Sequence, residues 1–178
     1  MGKAALSCTL VVLVAGCASV HQTTGGVAPG QEPALHGKVL IVPLADGKAR
    51  GGEVAAGSGS AVTAALRDSL LTRAMSPFVS DHRSFDEGLA QAKALGYQYV
   101  LKGEITEWED NATEWSGKAD SAGLSIEVYD LTPSLVGSGT HRVRASAIAM
   151  TAKTPDRFIP ELIKAVLDRA LGASGSVR

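Results

Sequence analysis

Lys38-Val39-Leu40-Ile41-Val42-Pro43-Leu44 is the stretch whose reading decides the fold. Apolar side chains fill it without a break from Val39 to Leu44. A strand with one wet face would alternate, so an unbroken run predicts a strand covered on both faces, inside a sheet with helices above and below it.

The elements that follow supply those layers. Gly47 to Gly59 is a loop of small residues. A helix is expected from about Ser60 to Met75, where Val62, Ala65, Leu66, Leu70 and Ala74 recur near helical spacing. Pro77-Phe78-Val79 reads as a short strand. Its proline has no N–H to give to a neighbour, which places it at a sheet edge. Ser84 opens a second helix with Glu87 three residues on, the spacing of a capping box, and Gly96 stops it. Tyr97 to Ile105 alternates as a long strand, and Leu124-Ser125-Ile126-Glu127-Val128 alternates as the next. Thr132-Pro133-Ser134 turns the chain, and Leu135 to Met150 returns as a third strand of the meander. A last helix is expected over Pro160 to Leu171. Apolar residues at 158, 159, 162, 163, 166, 167, 170 and 171 form one stripe along it, and Gly172 ends it.

The element order is therefore βαβαβββα, with no internal repeat and no second domain. Right-handed crossovers running in opposite directions put their helices on opposite faces. The expectation is a single three-layer α/β/α domain over 37–172 around a mixed five-stranded sheet. Its strand order would be 2-1-3-4-5, with only the fourth strand antiparallel. Residues 173–178 are expected to be a disordered tail.

The N-terminus has a separate logic. Lys3 is followed by an uncharged apolar run from Ala4 to Ala15, then Gly16-Cys17. A helix of that length spans about 18 Å, short of the roughly 30 Å hydrocarbon core, so it reads as a signal peptide over 1–16 rather than a membrane span. Leu13-Val14-Ala15-Gly16-Cys17 resembles the lipobox of bacterial lipoproteins. The resemblance implies cleavage before Cys17 and lipidation (diacylglycerol and palmitate) of its thiol. Ala18 stands where an Asp would retain an enterobacterial lipoprotein in the inner membrane. The implied location is therefore the periplasmic face of the outer membrane. Residues 17–36 are rich in Gly, Pro, Thr and Gln and read as the lipidated cysteine plus a flexible tether, with a reach of about 25 Å.

Composition bounds the rest. Of 178 residues 45% are hydrophobic and 20% charged, a globular balance. Loss of Lys3 with the signal leaves 16 Lys and Arg against 18 Asp and Glu, which offers no general attraction to nucleic acid. Cys8 lies in the discarded segment and Cys17 is acylated, so no disulfide, thiol nucleophile or cysteine metal cluster is expected.

The strand at 38–44 and the passage Leu95-Gly96-Tyr97-Gln98-Tyr99-Val100-Leu101-Lys102-Gly103 resemble the N-terminal domain of the translocation protein TolB, and periplasmic lipoproteins of the CsgG and PelC secretion type. Trp108-Glu109-Asp110-Asn111-Ala112-Thr113-Glu114-Trp115-Ser116-Gly117 resembles a signature of a family of uncharacterised proteobacterial lipoproteins. That resemblance implies a fold and a location and brings no activity.

The loop from Trp108 to Ala122 is long for a link between antiparallel neighbours, and it holds both tryptophans. Trp108, Glu109, Asp110, Asn111, Thr113, Glu114 and Trp115 form a candidate binding surface, since tryptophan offers a large stacking face to a sugar or a partner. The competing reading is that one or both indoles cap the core. Trp108 has the parity of Lys102, Glu104 and Thr106, so only a bulge would turn it inward. The loop's acids match no calcium pattern, and a solvated turn accounts for them. Gly57-Ser58-Gly59-Ser60 lacks the remainder of a phosphate-binding motif and reads as a loop ending in a serine cap. No two of the four histidines share helical metal-site spacing, and Arg142 and Arg144 share a strand face as an anion or partner patch or a solvated one. No catalytic residue, metal or cofactor is expected. The functional expectation is a non-enzymatic envelope protein that binds or scaffolds, in one version as a ring-forming homo-oligomer. Its partners would be the membrane, through its lipid, and an envelope protein or peptidoglycan. A glycan-binding module is second and a hydrolase third.

Overall fold

The computed structural model describes residues 19–29, 36–49, 51–111, 119–145 and 154–172. In chain order the elements are β1 (Val20–Val27), β2 (Gly37–Ile41), α1 (Ser58–Leu71), β3 (Met75–Val79), α2 (Phe85–Leu95), β4 (Tyr99–Glu109), β5 (Ser121–Asp130), β6 (Leu135–Arg144), a 3-10 turn (Pro155–Phe158) and α3 (Ile159–Ala170). They build one mixed sheet in the order β1-β6-β5-β4-β2-β3. β2 is parallel to β3 and β4, while β4-β5-β6-β1 is antiparallel throughout.

The apolar run is buried on both sides, as its composition demands. Val39 and Ile41 join the large cluster beneath α1 and α3, and Leu40 and Val42 join a smaller one with Leu89, Ala92 and Val100 beneath α2. α1 contributes Val62, Leu66 and Leu70 to the large cluster. α3 contributes Ile159, Leu162, Ile163, Val166, Leu167 and Ala170, the stripe seen in the sequence.

Two glycines set how close α3 comes. A Cβ placed on Gly137 would collide with the carbonyl oxygen of Ala170, and one on Gly139 with that of Val166. α3 therefore lies backbone against backbone on β6, an approach that any side chain at these two positions would block.

Two expectations are corrected. The sheet has six strands rather than five, and its order differs, because residues 20–27 of the expected tether pair with β6 over their whole length, from Val20 opposite Arg144 to Val27 opposite Gly137. β1 was hidden because an edge strand is held by backbone hydrogen bonds, and only Val20 and Val27 in it are apolar. It also means that two strands, β1 and β5, run against the other four. Smaller shifts concern boundaries. α1 starts at Ser58 behind Gly57, whose φ of 87° only glycine adopts freely, so the cap is not a serine. β6 ends at Arg144, and residues 146–150 of the stretch expected to continue it lie outside the described residues, as do the signal peptide, Cys17 and 173–178. Among the described residues no helix is long and apolar enough to cross a membrane.

Candidate functional site

The candidate surface rests on an irregularity in β4. The pairing of β4 with β5 slips between Ile105 and Glu107, so one extra residue is spent on β4. A single insertion inverts the parity of everything beyond it. Trp108, which regular alternation would send to the open face, turns into the large core cluster and is 5% exposed. The backbone at Gly47 closes over it: a Cβ there would lie 3.0 Å from that of Trp108. Trp108 is thus removed from the candidate surface, and it caps the core. Glu109 and Asn111 are half-buried and Asp110 is exposed. Ala112, Thr113, Glu114 and Trp115 lie outside the described residues.

The base of the loop is stitched shut. The Asn111 backbone N–H donates to Asp120 Oδ1 at 2.9 Å, and its side-chain amide donates to the Ala119 carbonyl at 2.9 Å. The second Asp120 oxygen faces the Arg157 guanidinium at 3.9 Å. The Asp110 carboxyl is raised from its ordinary value, first by partial desolvation at the protein surface and then by the negative charges of Asp120, Asp156 and Glu53. Among the described acids of this region, Asp120 is held by Asn111 on one oxygen and faces Arg157 with the other.

The sequence-predicted arginine face lies on the side of the sheet away from α3. Arg142 there is not an open anion site. Its guanidinium holds both oxygens of Glu107, with Nη2 at 2.7 Å from Oε1, and the Ser121 hydroxyl donates to the same carboxylate at 2.6 Å. Ser125 and Thr140 share a hydrogen bond of 2.9 Å across β5 and β6, and Lys102 stands 3.6 Å from Glu127. The result is a polar sheet face on which Glu107 is paired with Arg142 and Lys102 faces Glu127. α2 covers its β2–β4 end and reaches β5 through Phe85 on the ring of Tyr129.

Sequence reasoning missed a small concavity at the C-terminal end of β2, where parallel strands of α/β sheets commonly present ligand sites. It encloses about 180 Å³ between Val42, Pro43, Ala45, Arg83, Phe85 and Lys102. That is below the few hundred Å³ of ordinary small-molecule sites. The nearby start of α1 is filled by the protein itself. Gly59 N–H donates to Asp46 Oδ1 at 2.8 Å, so a carboxylate of the chain sits where a phosphate would. Sequence reasoning also kept apart His21 and His141, which β1 and β6 bring together beside Glu161 of α3. Nothing in a linear spacing of this length would have joined them.

Residues 38–169 match the model of a family described as a domain of unknown function, DUF4823. The chain belongs to this family. The DUF4823 span runs from β2, without its first residue, through α3, without its last, and takes in the Glu107–Arg142 face and the base of the loop, while β1 and Cys17 precede it. No match to the sequence is found among curated proteins. In three dimensions the chain is similar to the PelC dodecamer from Paraburkholderia phytofirmans, with a TM-score of 0.61, 15% identity, and 85% of this chain and 98% of that one covered. A leucine-to-methionine variant of that dodecamer gives 0.63, 14%, 85% and 99%. At such identities the likeness establishes a shared fold.

Proposed function

We propose that this chain is a lipid-anchored, non-enzymatic scaffold of the bacterial envelope, attached through Cys17 to the periplasmic face of the outer membrane and working as a homo-oligomer. The observation that carries the reading is the place of β1. It starts at Val20, three residues after Cys17, and runs hydrogen-bonded along β6. Three residues reach about 10 Å at most. A lipid on Cys17 would therefore seat the domain on the membrane surface in a fixed attitude instead of letting it drift on a 25 Å tether. A fixed attitude suits assembly of identical copies side by side, because it removes rotational freedom before they meet. The dodecameric state of PelC, which has the same fold, supports the oligomeric part. The polar face around Glu107 and Arg142 is the surface assigned to contacts with other envelope components. The glycan-binding alternative loses one of its two stacking rings with the burial of Trp108.

Mass spectrometry of the protein extracted from membranes tests the anchor. The expected N-terminus is Cys17 carrying acyl chains; a chain beginning at Met1, or an unacylated Cys17, overturns it. Native mass spectrometry in detergent tests the assembly, and monomer alone at high concentration overturns that part.

A further inference from the structure

We infer that His21, His141 and Glu161 form a binding site for a borderline divalent transition metal, of which zinc is the representative, and that the ion staples β1 to the domain. The three residues come from β1, β6 and α3, and their ligand atoms all lie within 4.8 Å of one another. His141 is the anchor. It is 4% exposed and projects from β6 just beyond Gly139, where the close approach of α3 ends at its first turn. Its Nδ1 lies 2.6 Å from the Thr23 hydroxyl of β1. Its other nitrogen, Nε2, is buried and has no hydrogen-bond partner among the described residues. That is an uncommon state for a buried ring nitrogen, because leaving it unpaired costs about 1–3 kcal/mol.

What Nε2 faces identifies what it lacks. Glu161 Oε1 lies 3.5 Å away, too far for a hydrogen bond, and the same oxygen is 2.6 Å from His21 Nδ1. The two imidazoles stack with centroids 5.8 Å apart and planes 20° from parallel. Ligands at about 2.0–2.2 Å in a tetrahedral site are separated by roughly 3.4 Å from one another. The His141–Glu161 separation already has that value. His21 and Glu161 have side chains 42% and 44% exposed, so the contact between them can open by the fraction of an ångström required. Their exposure also leaves the fourth position to water.

The donor set decides the class of ion. Two imidazoles and one carboxylate suit zinc and its neighbours, whereas calcium and magnesium call for oxygen alone. Thr23 supplies the outer contact that histidine ligands usually have, fixing the ring and leaving Nε2 as the donor. A hydrogen bond between His21 and Glu161 alone would account for those two residues. It would leave the buried Nε2 of His141 unexplained.

Zinc titration of the chelator-treated full chain in detergent tests the site, followed by calorimetry and by amide exchange. The expected result is one ion per chain, with exchange slowed across 20–27. His21→Ala and Glu161→Gln, both at exposed positions whose loss leaves the core intact, should each weaken binding at least tenfold. Cobalt in place of zinc should give the visible absorption of a tetrahedral nitrogen–oxygen site in the wild type and lose it in both variants. The inference is overturned if the folded chain binds no stoichiometric zinc, or if both variants bind it as the wild type does.

Discussion

The two sides of β6 invest in different things. Toward α3 it presents Gly137, Gly139, His141 and Val143; the alternate positions are Ser138, Thr140, Arg142 and Arg144. The first side forms a dry joint in which a helix rests on bare backbone. The second is a polar lattice of hydrogen bonds and ion pairs. Burial of apolar surface fixes the fold on one side, at about 25 cal/mol per Å². On the other, an exposed ion pair such as Lys102 with Glu127 contributes little to stability.

Trp108→Ala should break this contrast hardest, because it reaches the packed side from a loop that reads as a surface. A loss of about 3–5 kcal/mol is expected in urea denaturation. A loss under about 0.5 kcal/mol would return Trp108 to the candidate surface. Gly139→Val should cost about 2–3 kcal/mol by pushing α3 off β6, read as a lower denaturation midpoint. The next effect tests charge at the rim of the dry side. Burial alone would raise the Asp168 carboxyl, but hydrogen bonds from Lys164 and Arg73 outweigh it and hold it below the ordinary range. Such a group adds stability above its unfolded value of about 3.9, and loses it as pH falls through the lower folded value. Asp168→Asn should therefore cost about 0.5–1 kcal/mol at neutral pH, with the deficit vanishing in acid. A deficit independent of pH would mean that packing, not charge, holds the turn after α1 to α3 there. Smallest of all, Ser125→Val combined with Thr140→Val replaces a bonded pair on the open side by an apolar pair of similar shape. It should shift the midpoint by less than about 0.5 kcal/mol.

The same contrast explains what could be read from the sequence. β2 and α3 were legible because dry packing writes itself as apolar spacing: an unbroken run in one, a stripe at 158–171 in the other. Their positions in the layers followed. β1 left no such trace, since its support is backbone pairing with β6. The inward turn of Trp108 depends on one bulge residue, and no local residue preference marks Thr106 as the position where the count slips. The loop's acids were read as a solvated turn; their spacing in sequence does not show that Asp120 engages Asn111 nine positions back and faces Arg157 on the 3-10 turn. The His21–His141–Glu161 cluster needs three elements to be placed before it exists at all.

The pairing of β1 along β6 has a mechanical side. An acyl chain on Cys17 would apply any pull from the membrane at the head of β1, along the strand's own axis. Force in that direction loads the rungs of the eight-residue ladder together, in shear, rather than opening them one after another as a zipper would. The edge strand would then act as a strain-bearing strap, and the grip of the domain on its anchor would be set by the strength of the whole ladder instead of by its weakest rung.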